Sequence, residues 1–307
     1  MSGPPTATAA VRAAVRHSLA DLPDDAPVTA AVSGGADSLA LAAGLGAVRP
    51  GSGALVVDHG LQHGSAAVAA RAAAQCAGLG LAAAVVAVEV RGRGEGPARD
   101  ARHAALDAVA GTVLLGHTLD DQAETVLLGL ARGSGARALA GMAPVRGRLR
   151  RPLLDLPRAL VRQACVEAGL APYEDPHNAD PAHARVRVRT AGLPALEAAL
   201  GPGVAAALAR SATLLREDAD ALDALAAAVP DEQVADVTRL AALPAAVRSR
   251  VLKAYAERAC GAAVTGAQVA ALRALVDRWS GQGPVALPGG VRVGRRGGRL
   301  ASGPWQT

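Results

Sequence analysis

The stretch Val28-Thr29-Ala30-Ala31-Val32-Ser33-Gly34-Gly35-Ala36-Asp37-Ser38 sets the architecture of this 307-residue chain. Residues 28–32 form a short apolar run that predicts a buried strand, and residues 38–45 have the apolar spacing of a helix. Two adjacent glycines in the turn between them allow positive φ angles and let a ligand approach the backbone closely. Serine hydroxyls flank the glycines, and the first N–H groups of the helix, with the positive end of its dipole, face the same turn. The turn therefore predicts an anion-binding site.

Asp37 is the acidic residue of this turn. A carboxylate repels a phosphate directly, so we expect Asp37 to hold Mg²⁺, an ion that prefers hard oxygen ligands, between phosphates. The structural alternative is a glycine-rich connection in which a serine or aspartate side chain caps the helix. That alternative suffices for an isolated Gly-Gly pair, but the complete six-residue string directly after a strand favours the anion site.

The composition argues against several kinds of chemistry. Lys253 is the only lysine among 32 basic residues, and residues 251–255 contain no glycine, so neither a Walker A loop nor a Schiff-base lysine is expected. The three cysteines, Cys76, Cys165 and Cys260, form no CxxC pair, which argues against a disulfide framework and against a cysteine-ligated zinc or iron–sulfur site. No signal peptide or membrane span is recognised, so we expect a cytoplasmic protein without a membrane partner. The net charge of +5 is compatible with a polyanionic partner.

The first half of the chain alternates between strand and helix patterns. Three further strands are predicted from short apolar runs, at residues 54–57, 81–88 and 112–115. Helices are predicted at residues 66–77, 97–110 and 120–130. Near-continuous apolar strands separated by helices predict an α/β fold, with an open parallel sheet covered by helices on both faces.

From Pro144 the pattern changes. Residues 146–152 form a basic connector, and beyond about residue 193 the chain is mainly helical. It ends in a predicted β-hairpin around Pro288-Gly289-Gly290. We therefore predict a catalytic α/β domain over residues 1–190 and a smaller, mainly helical domain over residues 191–307.

The string from Ser33 to Ser38 has the form SGGxDS and resembles the pyrophosphatase loop of the N-type ATP pyrophosphatases. The resemblance implies an adenine nucleotide α-hydrolase-like fold and an enzyme that cleaves ATP to AMP and pyrophosphate, with ATP and Mg²⁺ as its cofactors. In that superfamily the loop grips pyrophosphate while an oxygen of the acceptor attacks the α-phosphorus. The implied ATP site consists of Ser33, Gly34, Gly35, Ala36, Asp37, Ser38, Val57, Asp58, His59 and Gly116.

Further segments narrow the resemblance by their order and spacing. They are Val57-Asp58-His59-Gly60-Leu61, Gly116-His117-Thr118-Leu119-Asp120-Asp121-Gln122-Ala123-Glu124-Thr125, Arg132-Gly133-Ser134-Gly135, Arg151-Pro152-Leu153-Leu154, Tyr173-Glu174-Asp175-Pro176-His177-Asn178, Arg185-Val186-Arg187-Val188-Arg189 and Leu287-Pro288-Gly289-Gly290. Together they resemble the tRNA(Ile)-lysidine synthetases, in a short form, over nearly the whole chain. The resemblance implies that the C2 oxygen of the wobble cytidine in a tRNA(Ile) with a CAU anticodon is adenylylated, and that the ε-amine of free L-lysine then displaces AMP. A homodimer is among the assemblies that the resemblance allows.

The acidic helix after the fourth strand is the predicted lysine site. If the helix begins at His117, then His117, Asp121 and Glu124 project from one face. Asp121 and Glu124 would cradle the lysine ammonium, one carboxylate would accept its proton, and His117 would lie near the phosphates. The alternative is that the acids only complement the helix dipole. With Asp37 and Arg189, these three residues make up the expected catalytic set.

Arginines are expected to contact phosphate or RNA. Arg185 and Arg189 are four residues apart, so on a helix they share a face, while Arg187 points elsewhere. Arginine is suited to bidentate phosphate contacts. The resemblance places Arg189 in the active site and Arg185 beside it, and it adds Arg99 and Arg102 as further RNA or phosphate contacts. For each of these arginines the alternative is a solvated surface charge.

Two other functions stay open. Another tRNA-modifying ATP pyrophosphatase, such as a cytidine 2-thiolase, needs a thiolate or a cluster, which the lack of CxxC disfavours. A non-catalytic ATP- or RNA-binding module is disfavoured by the acids, because carboxylates repel phosphates unless a metal or an ammonium is present. A flipped cytosine is usually stacked on aromatic side chains, which form 1% of this chain, so arginine or histidine planes would replace them. The basic run at residues 292–299 either follows RNA phosphates or is a solubilising face.

Overall fold

The computed structural model describes residues 6–60, 64–89, 100–101 and 104–303. The chain divides into two compact units, Met1–Leu215 and Arg216–Thr307. The boundary between the units lies inside one long helix, Val204–Ala227. The domain boundary predicted at residue 190 falls within the first unit, so the division into a catalytic and a tRNA-contacting part at that residue stays a prediction.

A six-stranded sheet lies at the centre of the first unit. Its strands are β1 (Val28–Val32), β2 (Gly53–Asp58), β3 (Ala82–Ala87), β4 (Thr112–Leu114), β5 (Val145–Arg146) and β6 (Leu149–Arg150). Their order in space is β3-β2-β1-β4-β6-β5, and all neighbours are parallel except β5 and β6. The helices of this part are α1 (Ala7–Ser18), α2 (Ala36–Val48), α3 (Ser65–Gly78), α4 (Leu119–Ala131), α5 (Ala136–Leu139) and α6 (Arg158–Glu167). The predicted α/β fold is confirmed.

Both faces of the sheet are covered at β2, as its alternating residues show, whereas the edge strand β3 is mostly exposed. Ala54 and Val56 belong to a large apolar cluster that includes residues of α1, α2, α3 and α6. Leu55 lies in a second cluster with Leu106 and Val113. Successive residues of a strand point to opposite faces. The two clusters therefore lie on opposite sides of one sheet.

Helix α2, which follows the glycine-rich turn, is enclosed by the core. Its residues 38–46 are all buried, as expected for a helix that is apolar on every side. The packing is close enough to require glycine, because a Cβ on Gly46 would lie 2.4 Å from the Leu79 carbonyl oxygen. The beginning of α2 is therefore fixed by packing along the whole helix.

The prediction of a basic connector at residues 146–152 is wrong. Residues 145–146 and 149–150 form the antiparallel strands β5 and β6, and β6 also pairs with β4. Arg150 is buried and donates to both carboxylate oxygens of Asp21, at 2.5 Å from Nη1 to Oδ1 and 2.8 Å from Nη2 to Oδ2. Strand β6 was not predicted because its buried position is occupied by a charged arginine in an ion pair and not by an apolar side chain.

The rest of the chain is mainly helical. After a 3₁₀ turn at Pro176–Ala179, the first unit continues with α7 (Ala184–Arg187), a π-helical turn (Val188–Gly192), α8 (Leu193–Leu200) and α9 (Val204–Ala227), the helix that contains the boundary. The second unit adds α10 (Asp231–Val234), α11 (Val237–Ala242), α12 (Ala245–Cys260), α13 (Gly266–Asp277), β7 (Val285–Ala286), a 3₁₀ turn (Pro288–Gly290), β8 (Arg292–Arg296) and β9 (Arg299–Gly303). The predicted hairpin is confirmed as the antiparallel pair β7–β8, and β9 extends it to three strands. A separate apolar cluster around Leu240, Leu252 and Leu272 holds this unit together.

Over the described residues, no single helix has the length and apolar character to cross a membrane. The pair Ala184–Leu200 and Val204–Ala227 reaches the necessary length and composition only when both parts are taken together, and the two parts are bent by 98°.

Candidate active site

The carboxyl ends of β1 and β4 form the centre of the candidate site. β4 pairs with β1 on the side away from β2, so the connections leave these two strands in opposite directions. Ligands of open α/β sheets bind at such a switch point. The two loops touch at Gly116, where a Cβ would lie 3.1 Å from the Asp37 carbonyl oxygen. The sheet therefore brings the predicted ATP-binding residues Gly116 and Asp37 together.

Hydrogen bonds of its own two serines stabilise the glycine-rich turn. The Ser33 N–H donates to Ser38 Oγ at 3.1 Å, and the Ser38 hydroxyl donates to the Gly35 carbonyl oxygen at 2.9 Å. Gly34 has a φ of +85°, which favours glycine. Gly35 is the N-cap of α2 and has no side chain with which to cap the first N–H groups, the groups that bind anions at a helix start. This geometry suits the predicted anion site, although Ser38 stabilises the turn itself.

Tyr173 supports the same turn from outside. Its N–H donates to the Gly34 carbonyl oxygen at 2.9 Å. Its Cβ lies 4.0 Å from the position that a Cβ on Gly34 would take. The segment that begins at Tyr173 carried part of the family resemblance, but it was not among the predicted site residues. The structure places Tyr173 against the glycine-rich turn.

The helix after β4 begins later than the lysine-site prediction required. Helix α4 starts at Leu119 with Thr118 as its N-cap, so His117 lies outside the helix and does not share its acidic face. The cause is a capping box, in which the N–H and the hydroxyl of Thr118 donate to Asp121 Oδ2 at 2.9 and 3.0 Å. The shared stripe of His117, Asp121 and Glu124 was therefore wrong as geometry. His117 still lies close enough to Asp121 to contribute to lowering its pKa.

The two arginines predicted to share a face do converge on Glu124. Arg189 donates from Nε to Glu124 Oε1 at 2.7 Å and from Nη2 to Oε2 at 3.0 Å. Arg185 donates from Nη2 to Thr125 Oγ1 at 2.8 Å, and its Nε lies 3.5 Å from Glu124 Oε2. Arg187 donates to the carbonyl oxygens of residues 181 and 182 instead, as expected for a side chain on another face.

Arg158, the first residue of α6, is the site residue that the sequence did not reveal. Its buried guanidinium donates from Nη2 to Asp121 Oδ1 at 2.7 Å and from Nη1 to Glu124 Oε1 at 3.0 Å. Its Nε lies 3.7 Å from Asp37 Oδ2. In a sequence, a charged residue at the start of a helix is typical of an ordinary surface position. The only available signal for Arg158 was that it lies close to the Arg151-Pro152-Leu153-Leu154 segment. Arg158 links the glycine-rich turn to the acidic helix.

Burial and neighbouring charges act differently on the carboxylates. Burial raises the pKa of Asp37 to about 6, although the attraction of Arg158 opposes the shift. Burial also acts to raise the pKa of Asp121, but Arg158 and the N–H of Thr118 together hold it below its ordinary value. The surrounding carboxylates raise the pKa of Arg158 against the effect of its burial. Asp121 and Arg158 are thus held charged, whereas the charge on Asp37 is poorly compensated.

Asp37 has the features expected of a metal ligand. Its Oδ1 is buried and, within the part of the chain that the structure describes, has no hydrogen-bond partner. The same part of the chain contains no group of three or more His, Cys, Asp or Glu residues that would hold a metal by themselves. Mg²⁺ is commonly held by one or two carboxylates together with substrate phosphates, so a single aspartate beside an anion site is compatible with it.

The remaining predicted ATP residues lie at the end of β2. Val57 and Asp58 are its last residues, and His59 follows them at the carboxyl edge of the sheet. The Gly60 N–H donates to Asp58 Oδ1 at 3.0 Å, and this hydrogen bond lowers the pKa of Asp58. β2 is next to β1, so these residues lie on the neighbouring strand to the glycine-rich turn. Their contact with adenosine stays a prediction.

Two groups of predicted RNA contacts lie elsewhere. Arg99 and Arg102 fall outside the residues that the structure describes. The basic run at residues 292–299 lies on β8 and β9 of the second unit, where the Arg295 guanidinium stacks over the Trp279 ring at 5.3 Å. Contact of either group with RNA stays a prediction.

Comparisons with known proteins agree with the fold. A family model described as a PP-loop domain matches residues 8–196. The parallel sheet with its glycine-rich turn therefore defines a PP-loop protein of the ATP-using class. The chain is 50% identical to the tRNA(Ile)-lysidine synthase of Thermobifida fusca (strain YX), over 98% of each chain, and 52% identical to that of Leifsonia xyli subsp. xyli (strain CTCB07), over 89% of this chain and 88% of the relative. The chain belongs to the tRNA(Ile)-lysidine synthase family.

The second part of the chain and the fold have matches of their own. A model described as the TilS substrate binding domain matches residues 236–301. The solved structure of the U34-tRNA thiolase NcsA from Methanococcus maripaludis, with its [4Fe-4S] cluster, aligns with a TM-score of 0.54 and 20% identity, over 67% of this chain and 78% of that chain. At this identity the similarity concerns the fold alone. The cysteines of this chain lie on three separate helices, and two of them are buried.

Proposed function

We propose that this chain joins L-lysine to the wobble cytidine of a tRNA(Ile) with a CAU anticodon, while ATP is cleaved to AMP and pyrophosphate. One observation carries the proposal. The glycine-rich turn with Asp37 and the acidic pair Asp121 and Glu124 are bridged by one arginine, Arg158. In such a reaction ATP first activates the acceptor, and an amine then attacks the activated acceptor. The site that binds the phosphates must therefore lie directly beside the acidic site that binds the amine. The tRNA(Ile)-lysidine synthase relatives support this choice of acceptor and amine.

The first step takes place at the turn. The backbone of residues 33–36 and the first N–H groups of α2 bind the phosphates that leave as pyrophosphate. The cytidine C2 oxygen attacks the α-phosphorus and the bond to pyrophosphate breaks, so the oxygen becomes part of an AMP leaving group. Asp37 would hold Mg²⁺, which neutralises phosphate charge when bound. Arg189 lies on the side of Glu124 and would contact the charge that develops in the transfer.

The second step takes place at α4. Asp121 and Glu124 bind the ε-ammonium of lysine, and one of the two carboxylates accepts its proton. The free amine attacks C2 of the activated cytosine, and the C–O bond to AMP breaks. His117, next to Asp121, would donate to or relay a proton near the phosphates. An acidic pair is suited to this task because its charge attracts the ammonium, an attraction that uncharged competitors do not have.

The substrate tRNA needs a wider surface. Arg185, Arg99 and Arg102 are the proposed contacts to its phosphates, and the helical part after residue 190 is proposed to check its identity. Because tRNA and ATP are cytoplasmic substrates, we place the enzyme in the cytoplasm. A homodimer stays a prediction.

Incorporation of lysine is the direct test. The protein is incubated with ATP, Mg²⁺, radiolabelled L-lysine and an in vitro transcript of tRNA(Ile) with a CAU anticodon, and label in RNA is counted. The matched control transcript differs only by uridine in place of the wobble cytidine, and it should receive no label. Pyrophosphate release without any label in the CAU transcript would refute the lysine assignment and leave the ATP chemistry standing.

A further inference from the structure

Every carboxylate oxygen of the proposed lysine site already has a donor. Asp121 Oδ2 accepts from Thr118, and Oδ1 accepts from Arg158 at 2.7 Å and from Arg189 at 3.4 Å. Glu124 Oε1 accepts from the same two arginines, and Oε2 accepts from Arg189 with Arg185 close by. A carboxylate has about four lone-pair sites on its two oxygens. Each oxygen of this pair already has two donor atoms within 3.5 Å, so an incoming ammonium finds every acceptor position taken. Lysine therefore has to exchange with a donor that the site already holds.

Counted as formal charges, the carboxylates and guanidinium groups that face each other in the site are equal in number before any ligand arrives. Three carboxylates, those of Asp37, Asp121 and Glu124, lie against the guanidinium groups of Arg158, Arg185 and Arg189. A guanidinium stays charged at every physiological pH, so this balance cannot be relieved by loss of a proton from arginine. Adding a lysine ammonium alone would leave one uncompensated positive charge in a buried site, which is unfavourable.

Arg158 is the donor best placed to move. The backbone N–H of Arg158 donates to Asp120 Oδ2 at 2.7 Å, and α6 is packed into the core through Val161 and Ala164. The backbone of Arg158 is therefore held in place, while its side chain extends across the site. Its Nε is buried and, among the residues that the structure describes, has no hydrogen-bond partner. That atom is also the one that faces Asp37 on the glycine-rich turn. The guanidinium thus already lies between the acidic pair and the phosphate side.

We propose that Arg158 holds the lysine site closed until ATP binds, and that the ATP phosphates then draw its guanidinium away from Asp121 and Glu124. This inference rests on the proposed function. Phosphate is a strong bidentate partner for arginine, and Asp37 would be neutralised by the Mg²⁺ that it holds. Release of Arg158 removes one positive charge from the acidic pair. The ε-ammonium of lysine then supplies that charge. Arg158 is a positioning residue, and it makes ATP the substrate that binds before lysine.

Binding of lysine with and without nucleotide tests this order. Equilibrium dialysis gives the Kd of radiolabelled L-lysine for the full chain, alone and with Mg²⁺ and an ATP analogue that has a methylene group between the α- and β-phosphorus. For the wild type we expect the Kd to fall at least about ten-fold when the nucleotide is present. In Arg158→Gln, lysine should bind without nucleotide nearly as tightly as it binds the wild type with nucleotide, so the nucleotide effect should shrink to about two-fold or less.

Arg162→Gln is the matched control. Arg162 lies one turn later on α6 and pairs with exposed Glu174 at 3.6 Å rather than with Asp121 or Glu124. Its charge also acts on Asp37, but its loss frees no carboxylate of the acidic pair, so the nucleotide effect on lysine should stay close to the wild-type level. Arg158→Lys covers the case in which Arg158→Gln does not fold. One ammonium cannot bridge Asp121 and Glu124 as a guanidinium does, so this variant should show a nucleotide effect between those of the wild type and of Arg158→Gln.

Two results would overturn the inference. One is an equal Kd for lysine with and without nucleotide in the wild type, and the other is a full nucleotide effect in both Arg158 variants. The tRNA assay distinguishes failure of this inference from failure of the proposed function. A wild type that incorporates lysine into tRNA but shows no nucleotide effect on lysine binding contradicts only the role of Arg158. A wild type that incorporates no lysine contradicts the proposed function itself.

Discussion

Glu124 is the residue on which the arginines of the site converge. Its side chain is fully buried, and it accepts hydrogen bonds from Arg158 and Arg189 while Arg185 lies within ion-pair distance. A buried carboxylate is stable only when it is paired, and removal of one partner from such a pair is strongly destabilising. Glu124 therefore stabilises the fold even without lysine. The effects of its substitution on stability and on lysine use have to be measured separately.

Glu124→Gln should lower the thermal stability and impair lysine use more than ATP use. The neutral amide takes the counter-charge away from three partly exposed arginines at a fully buried position, so we expect destabilisation on the order of 2 kcal/mol. It also removes a charged partner of the ε-ammonium, so the KM for lysine should rise about ten-fold or more. Thermal melts and tRNA lysine incorporation measure the two effects. Glu174→Gln, at an exposed ion pair, is the control and should change neither.

Asp37→Asn should stop ATP cleavage without weakening the fold. The amide keeps the shape of the side chain but is a poor ligand for Mg²⁺, so tRNA-dependent pyrophosphate release should fall at least about 100-fold. The variant should melt no lower than the wild type, because burial disfavours the charge of this carboxylate and the amide carries none. Pyrophosphate release close to the wild-type rate at saturating ATP would show that Asp37 has another task.

Among the secondary-structure elements, the start of each helix places the chemistry. Helix α2 begins at the glycine-rich turn, α4 begins behind the Thr118–Asp121 capping box, and α6 begins at Arg158. The three starts meet at the carboxyl edge of the sheet because β1, β4 and β6 are parallel neighbours. The Thr118-Leu119-Asp120-Asp121 pattern is a capping-box signal that the sequence already contained. It explains why His117 lies before the helix.

Gly116→Ala should reduce activity by separating two of these elements. A Cβ at Gly116 would lie 3.1 to 3.2 Å from backbone atoms of Asp37 and Ser38, so β4 and α2 would have to move apart by a few tenths of an ångström. We expect tRNA-dependent pyrophosphate release to fall about ten-fold, since small displacements of reacting groups are costly. Gly78→Ala is the matched control, because a Cβ there meets nothing within 4 Å. An active Gly116→Ala enzyme would contradict the close approach of the two loops.

For the first unit as a whole, charge pairing across distant segments replaces part of the apolar core. Arg150 on β6 binds Asp21, which follows α1, and it also donates to the Ser18 carbonyl oxygen. The pair joins the beginning of the chain to a strand far along the sequence. Because Arg150 is buried, its partner should matter to the stability of the sheet edge even though Asp21 itself is exposed.

Asp21→Asn should lower the melting temperature at pH 7 but not at low pH. The hydrogen bond from Arg150 holds the pKa of Asp21 below its ordinary value of 3.8. A carboxylate with a lowered pKa in the folded state contributes stability that is complete above the unfolded pKa and is lost as the pH falls through the folded pKa. Melts between about pH 2 and 8 should therefore show wild type and variant converging below about pH 4. Asp24→Asn, at a fully exposed carboxylate, should show a smaller difference at pH 7; a difference for Asp21→Asn that grows on acidification would contradict the ion pair.

The sequence by itself determined the parallel sheet, the glycine-rich turn at its edge and the family. Each of these depends on short-range information: apolar runs, adjacent glycines and motifs with fixed spacing along the chain. The same information predicted that Arg185 and Arg189 share a face, and both reach Glu124.

Only the tertiary structure decided which charges meet. Arg158, Asp37 and Glu124 are far apart along the chain, and no local pattern relates them. The strands β5 and β6 were missed for the same reason, since Arg150 is buried by pairing with a residue near the start of the chain. Long-range ion pairs leave no periodic signal in a sequence, because their partners are brought together by the packing of the elements that carry them. The arrangement of arginines that encloses the acidic pair is therefore a property of the folded chain.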